Sequence, residues 1–178
     1  MSLAIIIINF RTPQYTLDCL ASLAPERADV PGLQVILIDN ASGDDSVPRL
    51  REAIEKNGWG EWVVFLPQDK NLGFAGGNNV GFQHVLAQPN PPEFILLLNS
   101  DTIVHRGCLK ASLARLARDP SIGVMSCLLR NADGTVQNNC RRFARPDRET
   151  VRALGLPYFF RGHFKWADLD DPEWDREK

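Results

Sequence analysis

Three short apolar runs in this 178-residue chain each stop at an amide or a carboxylate. Residues 5–8, all isoleucine, run into Asn9; residues 35–38 run into Asp39 and Asn40; residues 94–98 run into Asn99, Ser100 and Asp101. A short apolar run without alternation reads as a strand buried on both faces, the mark of a parallel sheet. Residues 62–66, closed by Pro67, and residues 124–129 read as two further strands. Between the runs, apolar residues recur at helical spacing. Leu17, Leu20, Ala21 and Ala24 share one face, with Thr12 as N-cap and Pro13 at the first helical position. Val47, Leu50 and Ile54 form a second stripe ending before Gly58, Phe82, Val85 and Leu86 a third, and Leu109, Leu113, Leu116 and Ala117 a fourth. Strand and helix patterns alternate, which predicts an α/β layered sheet with right-handed crossovers. In such sheets the ligand crevice lies outside the carboxyl ends of the strands. The polar residues that end the runs should therefore gather along one edge.

The length suits one domain with a full core, and 44% hydrophobic with 24% charged residues is a soluble, globular composition. A net charge of -2, from 20 basic and 22 acidic residues, gives no reason to expect nucleic acid as a partner. Basic residues do gather between positions 130 and 161, beside Phe143, Tyr158, Phe159 and Phe160; a solvated or partner-facing loop is the simpler reading. The first apolar run is too short for a membrane span or a secretory signal and no basic residue precedes it, so a cytoplasmic protein is expected. Cys19, Cys108, Cys127 and Cys140 show no Cys-x-x-Cys spacing and read as reduced thiols, not zinc ligands. Asn131-Ala132-Asp133-Gly134 predicts a turn into a short strand at residues 135–137. After Arg141 the apolar periodicity fades, and residues 166–178 are dense in acids, as a mobile tail would be.

Asn99 and Asp101 are two residues apart, so in an extended segment they point to the same side. Mg²⁺ or Mn²⁺ needs few protein ligands when waters and substrate phosphates complete its shell. Asp101 can ligate such an ion, and Asn99 can ligate or orient. Read alone, Asn99-Ser100-Asp101 serves equally well as the cap of the next element. Asp39 can accept two hydrogen bonds from a ribose or a base edge, or make an Asx-turn. The stretch Asn71-Leu72-Gly73-Phe74-Ala75-Gly76-Gly77-Asn78-Asn79 predicts a loop reaching Gly81. Its glycines allow close backbone approach, and the helix start that follows favours anions; an ordinary glycine turn would look the same. It is not Gly-x-Gly-x-x-Gly, it does not follow the first strand, and no Walker sequence is present.

Together, Asn9-Phe10-Arg11-Thr12-Pro13, Asp39-Asn40-Ala41-Ser42, the glycine and asparagine stretch from Asn71 to Asn79, and Leu97-Leu98-Asn99-Ser100-Asp101 closely resemble the family 2 glycosyltransferases of the GT-A fold. Asp133-Gly134-Thr135-Val136-Gln137 and Arg141-Arg142-Phe143 resemble its rhamnosyltransferase-like branch, and the resemblance covers roughly residues 3–145. It implies a mostly parallel GT-A sheet with helices on both faces, in a nucleotide-sugar-binding domain at residues 1–145. Residues 146–178 would then be an irregular segment leading toward an absent acceptor half.

The resemblance also implies a dTDP-, UDP- or GDP-sugar donor, Mg²⁺ or Mn²⁺, and inverting transfer to a glycan or lipid-linked acceptor. By position, Asp39 would hold the base or ribose, with Asn9 and Arg11 bordering the base. Asn71 and Gly73 would line the nucleoside side. Asp101 would bind the metal, with Asn99 and Ser100 beside it, where the family's Asp-x-Asp element stands as Asn99-Ser100-Asp101. The family's base lies after a Trp-x-x-Gly-like segment, and residues 146–178 hold no matching stretch. Glu173 and Asp175 stand in no matching context, so no catalytic base is assigned. The chain by itself is expected to be weakly active or inactive, to self-associate through uncovered strand edges, and to meet a membrane only peripherally. A non-catalytic nucleotide-sugar-binding module is the alternative. A phosphoacceptor receiver would want an acidic pair after the first strand, and a sugar-nucleotide pyrophosphorylase a glycine-rich basic loop there; neither is present.

Overall fold

The computed structural model describes residues 1–137 and 146–154. The chain forms two compact units, Met1–Gly123 and Val124–Lys178. The first unit alternates β1 (Ser2–Asn9), α1 (Pro13–Leu23), β2 (Gly32–Asp39), α2 (Ser46–Lys56), β3 (Val63–Pro67), α3 (Gly73–Leu86), β4 (Phe94–Asn99) and α4 (Cys108–Arg118). All its strand pairs are parallel, in the order β3-β2-β1-β4.

Strand parity divides the core. Leu3, Ile5 and Ile7 of β1, with Val35 and Leu37 of β2, pack with Leu20 and Leu23 of α1, Leu50 and Ile54 of α2, and Leu109 and Leu113 of α4. Ala4, Ile6, Ile36 and Ile38 face the other way and meet Val85 of α3. Three helices thus cover one face and α3 the other, so the central strands need apolar residues at every position. Each isoleucine taken fully out of water contributes about 1.5–3 kcal/mol. β4 departs from the expected double burial. It pairs only with β1 among the described residues, and Leu97 stays 45% exposed.

The glycine-rich stretch is helix, not loop, from Gly73 onward. Its buried stripe is Gly77, Gly81 and Val85, one turn apart along the helix, with Asn78 beside Gly77. A Cβ on Gly77 would lie 2.9 Å from Ile8 Cδ1, and one on Gly81 would lie 2.6 Å from Ile6 Cγ2. The glycines seat α3 on β1, and this packing overrides glycine's poor helix propensity. Leu86 falls off that stripe and is 65% exposed.

Two other expected inward positions, Ala21 and Ala117, are exposed. The buried face of α1 runs instead through Pro13, Thr16, Cys19, Leu20 and Leu23. Thr12 occupies the N-cap position of α1, but its hydroxyl leans toward Asn9 Oδ1 at 3.4 Å and makes no cap bond.

In the second unit the expected strand at 124–129 shrinks to β5 (Leu129–Arg130), and Val124 is 93% exposed. A strand exists only where a partner ladder does. The ladder here is local: β5 pairs antiparallel with β6 (Val136–Gln137) across the predicted turn, where Gly134 donates to the Asn131 carbonyl at 2.9 Å and takes φ +85. A helix, α5, covers Pro146–Ala153. Cys140, Arg141-Arg142-Phe143, the aromatic residues at 158–160, Glu173, Asp175 and the acidic tail lie outside the described residues. No helix among the described residues is long and apolar enough to cross a membrane.

Candidate functional site

The strand order places a switch point beside β1. The chain moves outward through β2 and β3, then returns to β1's other side as β4. The order in which strands are added reverses there, and a crevice opens beside β1 at the carboxyl ends. A cleft of about 700 Å³ stands there. Asn71, Gly73, Asn99, Ser100 and Asp101 line it, as do Asn40, Asn78 and the aromatic residues Phe10, Tyr15 and Phe74.

Asn9, Arg11 and Asp39 do not line it; they build the knot beneath. Asn9 and Asp39 are register partners at the ends of β1 and β2. Asn9 Nδ2 donates to Asp39 Oδ1 at 2.6 Å and to Ser42 Oγ at 3.2 Å. The Ser42 hydroxyl donates to Asp39 Oδ1 at 2.6 Å and its backbone N–H to Asp39 Oδ2 at 3.1 Å. Thr16 donates to Asn9 Oδ1 at 2.9 Å. With exposures of 0% and 1%, Asn9 and Asp39 spend their polar atoms on their neighbours, as buried polar groups must. Arg11 is tied to the same serine, through its N–H to Ser42 Oγ at 2.9 Å and its Nε to the Ser42 carbonyl at 2.8 Å. Arg11 and Ala41 both sit at positive φ, 59 and 57. For residues with a Cβ that costs on the order of 1–2 kcal/mol each, offset here by the bonds to Ser42.

An Asp39→Asn substitution tests the knot. An amide there sets N–H against N–H at Ser42, and the expected loss is about 2 kcal/mol, read as a lower urea midpoint at unchanged slope. An unchanged midpoint would mean that the carboxylate does not hold the strand ends.

Asn40, one residue beyond, is the group that reaches the cleft. Its Nδ2 donates to Asn71 Oδ1 at 3.0 Å and to the Gly73 carbonyl at 3.2 Å, and its Oδ1 accepts the Leu72 N–H at 2.9 Å. Asn71 Oδ1 also accepts the Gly73 N–H at 2.8 Å. One buried amide thus fixes the turn that opens α3. Asn78, buried in α3, donates to the Phe74 carbonyl at 3.0 Å. Adjacency to Asp39 is the sequence signal that points to Asn40. Phe74 and Asn78 lie within the glycine and asparagine stretch, but their place on the cleft depends on the seat of α3, and Tyr15 of α1 carries no signal of its own.

On the opposite wall Asn99 and Asp101 are exposed. The Asp101 carboxylate makes no hydrogen bond or ion pair with the described residues. It lies close enough to the buried Cys19 thiol to add to the effect of burial, and the two together push that thiol up to about 12, burial contributing most. The described residues hold no group of three or more His, Cys, Asp or Glu side chains suited to a metal. An all-protein cage is therefore excluded among them. One free carboxylate beside an amide and a hydroxyl does fit Mg²⁺ or Mn²⁺ shared with phosphate oxygens and waters.

The model of the family described as "Glycosyl transferase family 2" matches residues 4–169. Among solved structures, the mannosyltransferase PcManGT from Pyrobaculum calidifontis, in complex with GDP-Man and Mn²⁺, is similar with a TM-score of 0.63 at 20% identity, over 72% of this chain and 35% of that one. S. aureus TarS is similar with a TM-score of 0.52 at 21% identity, over 66% of this chain and 33% of that one. The TarS complex with UDP-GlcNAc matches at 20% identity with the same TM-score, 0.52, over 66% of this chain and 32% of that one. The chain thus spans about a third of the length of these proteins. No curated protein matches it. The parallel sheet with its switch-point cleft is GT-A-like, and with the family match running over nearly all of its length the chain belongs to glycosyl transferase family 2.

Proposed function

We propose that this chain is the donor-binding part of an inverting, rhamnosyltransferase-like glycosyltransferase that takes a dTDP-, UDP- or GDP-sugar with Mg²⁺ or Mn²⁺. One observation carries the reading. Just past the end of β4, Asp101 stands exposed and without a hydrogen-bonding partner among the described residues, lining the same cleft as Asn71 and Gly73. The GDP-Man and Mn²⁺ bound to the Pyrobaculum enzyme support it, as does the UDP-GlcNAc bound to TarS. The donor domain occupies residues 1–145, and residues 146–178 lead toward the acceptor side.

In this reading Asn71 and Gly73 line the nucleoside end. Asn9, Arg11 and Asp39 border the base from beneath by holding the strand ends in register. Asp101 holds the metal, with Asn99 and Ser100 next to the diphosphate. A bound divalent ion supplies Lewis-acid stabilisation of the charge developing on the leaving diphosphate. An acceptor hydroxyl forms the new bond to the anomeric carbon as the bond to the diphosphate breaks, and a carboxylate base takes the hydroxyl proton. Asp101 is the only carboxylate among the described residues that lines the cleft. Committed to the metal, it leaves no other carboxylate of the described residues in the cleft for that proton. This favours a chain that binds donor and transfers weakly or not at all by itself, and it supports the second reading, a non-catalytic nucleotide-sugar-binding module. A glycan or lipid-linked acceptor, a cytoplasmic site with peripheral membrane contact, and self-association through the open edge of β4 belong to the same proposal.

Thermal melting with each nucleotide sugar, with and without Mn²⁺, tests the donor site. Ligand at about 100 times its dissociation constant stabilises by ~2.7 kcal/mol, a rise of roughly 5–10 °C for a chain of this size. No shift with any UDP-, dTDP- or GDP-sugar removes the reading. Turnover on an acceptor separates enzyme from binding module.

A further inference from the structure

The segment that carries Asp101 is held by residues of one helical face, Cys19, Ser22 and Glu26, none of which lines the cleft. Cys19 and Ser22 lie in α1, and Glu26 lies in the 3₁₀ turn that continues it, Ala24–Ala28. The Cys19 thiol points to the Asn99 carbonyl at 3.9 Å. The Ser22 hydroxyl donates to the Cys19 carbonyl at 2.7 Å and accepts the Val104 N–H at 3.0 Å. Glu26 Oε1 accepts the Gly107 N–H at 2.6 Å, and Oε2 accepts the Leu109 N–H at 3.1 Å. These contacts bracket Asp101, one before it and three after.

Glu26 is fully buried and forms no salt bridge among the described residues. Burying a carboxylate is costly unless hydrogen bonds replace its water. The N-terminal amides of α4 supply those bonds, and the helix dipole adds to them. The N-cap residue of α4 is Gly107, which has no side chain to do the capping. A helix that needed only a cap would take a serine or aspartate at its own N-cap. Here the cap comes from a residue 81 positions earlier, and it fixes where the Asp101 segment ends relative to α1.

We infer that Glu26, with Ser22 beside it, is a positioning residue for Asp101: it holds the loop between β4 and α4 so that the carboxylate faces the cleft, and thereby sets the metal dependence of donor binding. The inference rests on the donor-site reading above.

Glu26→Gln and Ser22→Ala in the full chain test it with two readouts. One is amide hydrogen exchange at Val104, Gly107 and Leu109 in the free protein. The other is the affinity for UDP, GDP and dTDP, each with and without Mn²⁺. A glutamine accepts one of the two amide bonds and sets its NH₂ against the other donor. For Glu26→Gln we expect faster exchange at these amides. We also expect the Mn²⁺-dependent gain in nucleoside diphosphate affinity to fall by about tenfold, the scale seen when partners that orient a metal ligand are lost, while metal-free affinity is unchanged. Ser22→Ala moves both readouts the same way by less, and it carries the test if Glu26→Gln does not fold. Unchanged exchange, or an undiminished Mn²⁺ gain, overturns the inference. So does an equal loss with and without metal, which marks Glu26 as a stability cap only. If the wild-type chain binds none of the three nucleotides with Mn²⁺, the donor reading fails instead, and the exchange readout alone decides whether Glu26 fixes the loop.

Discussion

Asp101→Ala is expected to abolish the Mn²⁺ dependence of nucleotide-sugar binding and to leave the fold intact. The side chain is exposed and bonded to none of the described residues, so its removal should change stability by no more than about 0.5 kcal/mol. Among the described residues no second carboxylate lines the cleft to hold the ion in its place. Asn99 and Ser100 remain, but neutral oxygens do not offset the charge of a divalent ion next to a diphosphate. Affinity measured with Mn²⁺ should drop to its metal-free level, a loss on the order of 10- to 100-fold. Calorimetric titration with and without Mn²⁺ decides the matter. A variant that still binds more tightly with the ion would show that Asp101 is not its ligand.

Gly81→Val is expected to be among the most damaging single changes in the first unit. An added Cβ meets Ile6 Cγ2 at 2.6 Å and two more Ile6 carbons at 3.0 Å. The Cγ2 atom branches directly from the isoleucine Cβ and cannot swing away, and Ile6 is itself enclosed by the sheet and α3. Valine adds two further carbons in the same space. Overpacking of this kind costs about 3 kcal/mol, the top of the usual range, which lowers the melting temperature by roughly 6–12 °C. Gly77→Ala provides a graded control, because its nearest neighbour is Cδ1, the movable tip of Ile8. A Gly81→Val chain that melts with the wild type would show that α3 does not need its close seat on β1.

These two positions mark where the sequence was legible and where it was not. The ends of β1, β2 and β4 could be placed because unbroken Ile, Val and Leu runs stop abruptly at polar residues, and the sheet needs those residues inside. Asp101 follows from that pattern directly. Gly81 is not legible in the same way: glycine's low helix propensity suggests a loop, and the approach of Ile6 explains the helix there. Asn9 and Asp39 were located correctly at the strand ends. That each is consumed by the other depends on their pairing in register, which no single segment reveals. The strand expected over residues 124–129 failed for a related reason: apolar content supplies a candidate strand, but a ladder must come from elsewhere. Glu26 left no trace at all. A glutamate in a short turn after a proline looks like surface, and its burial follows from a helix start that lacks a side chain of its own.

The seating of α3 also bears on how such a cleft diversifies. The residues that hold the helix to the sheet, Gly77 and Gly81, have no side chains to vary, whereas Phe74 at its first turn is 64% exposed and faces the cleft. Anchorage and cleft lining are therefore written at separate positions of a single helix. Selection, or a mutant library, can exchange Phe74 without disturbing the anchorage; on the proposed donor-site reading, donor preference would then be a trait that can drift while the scaffold stays still.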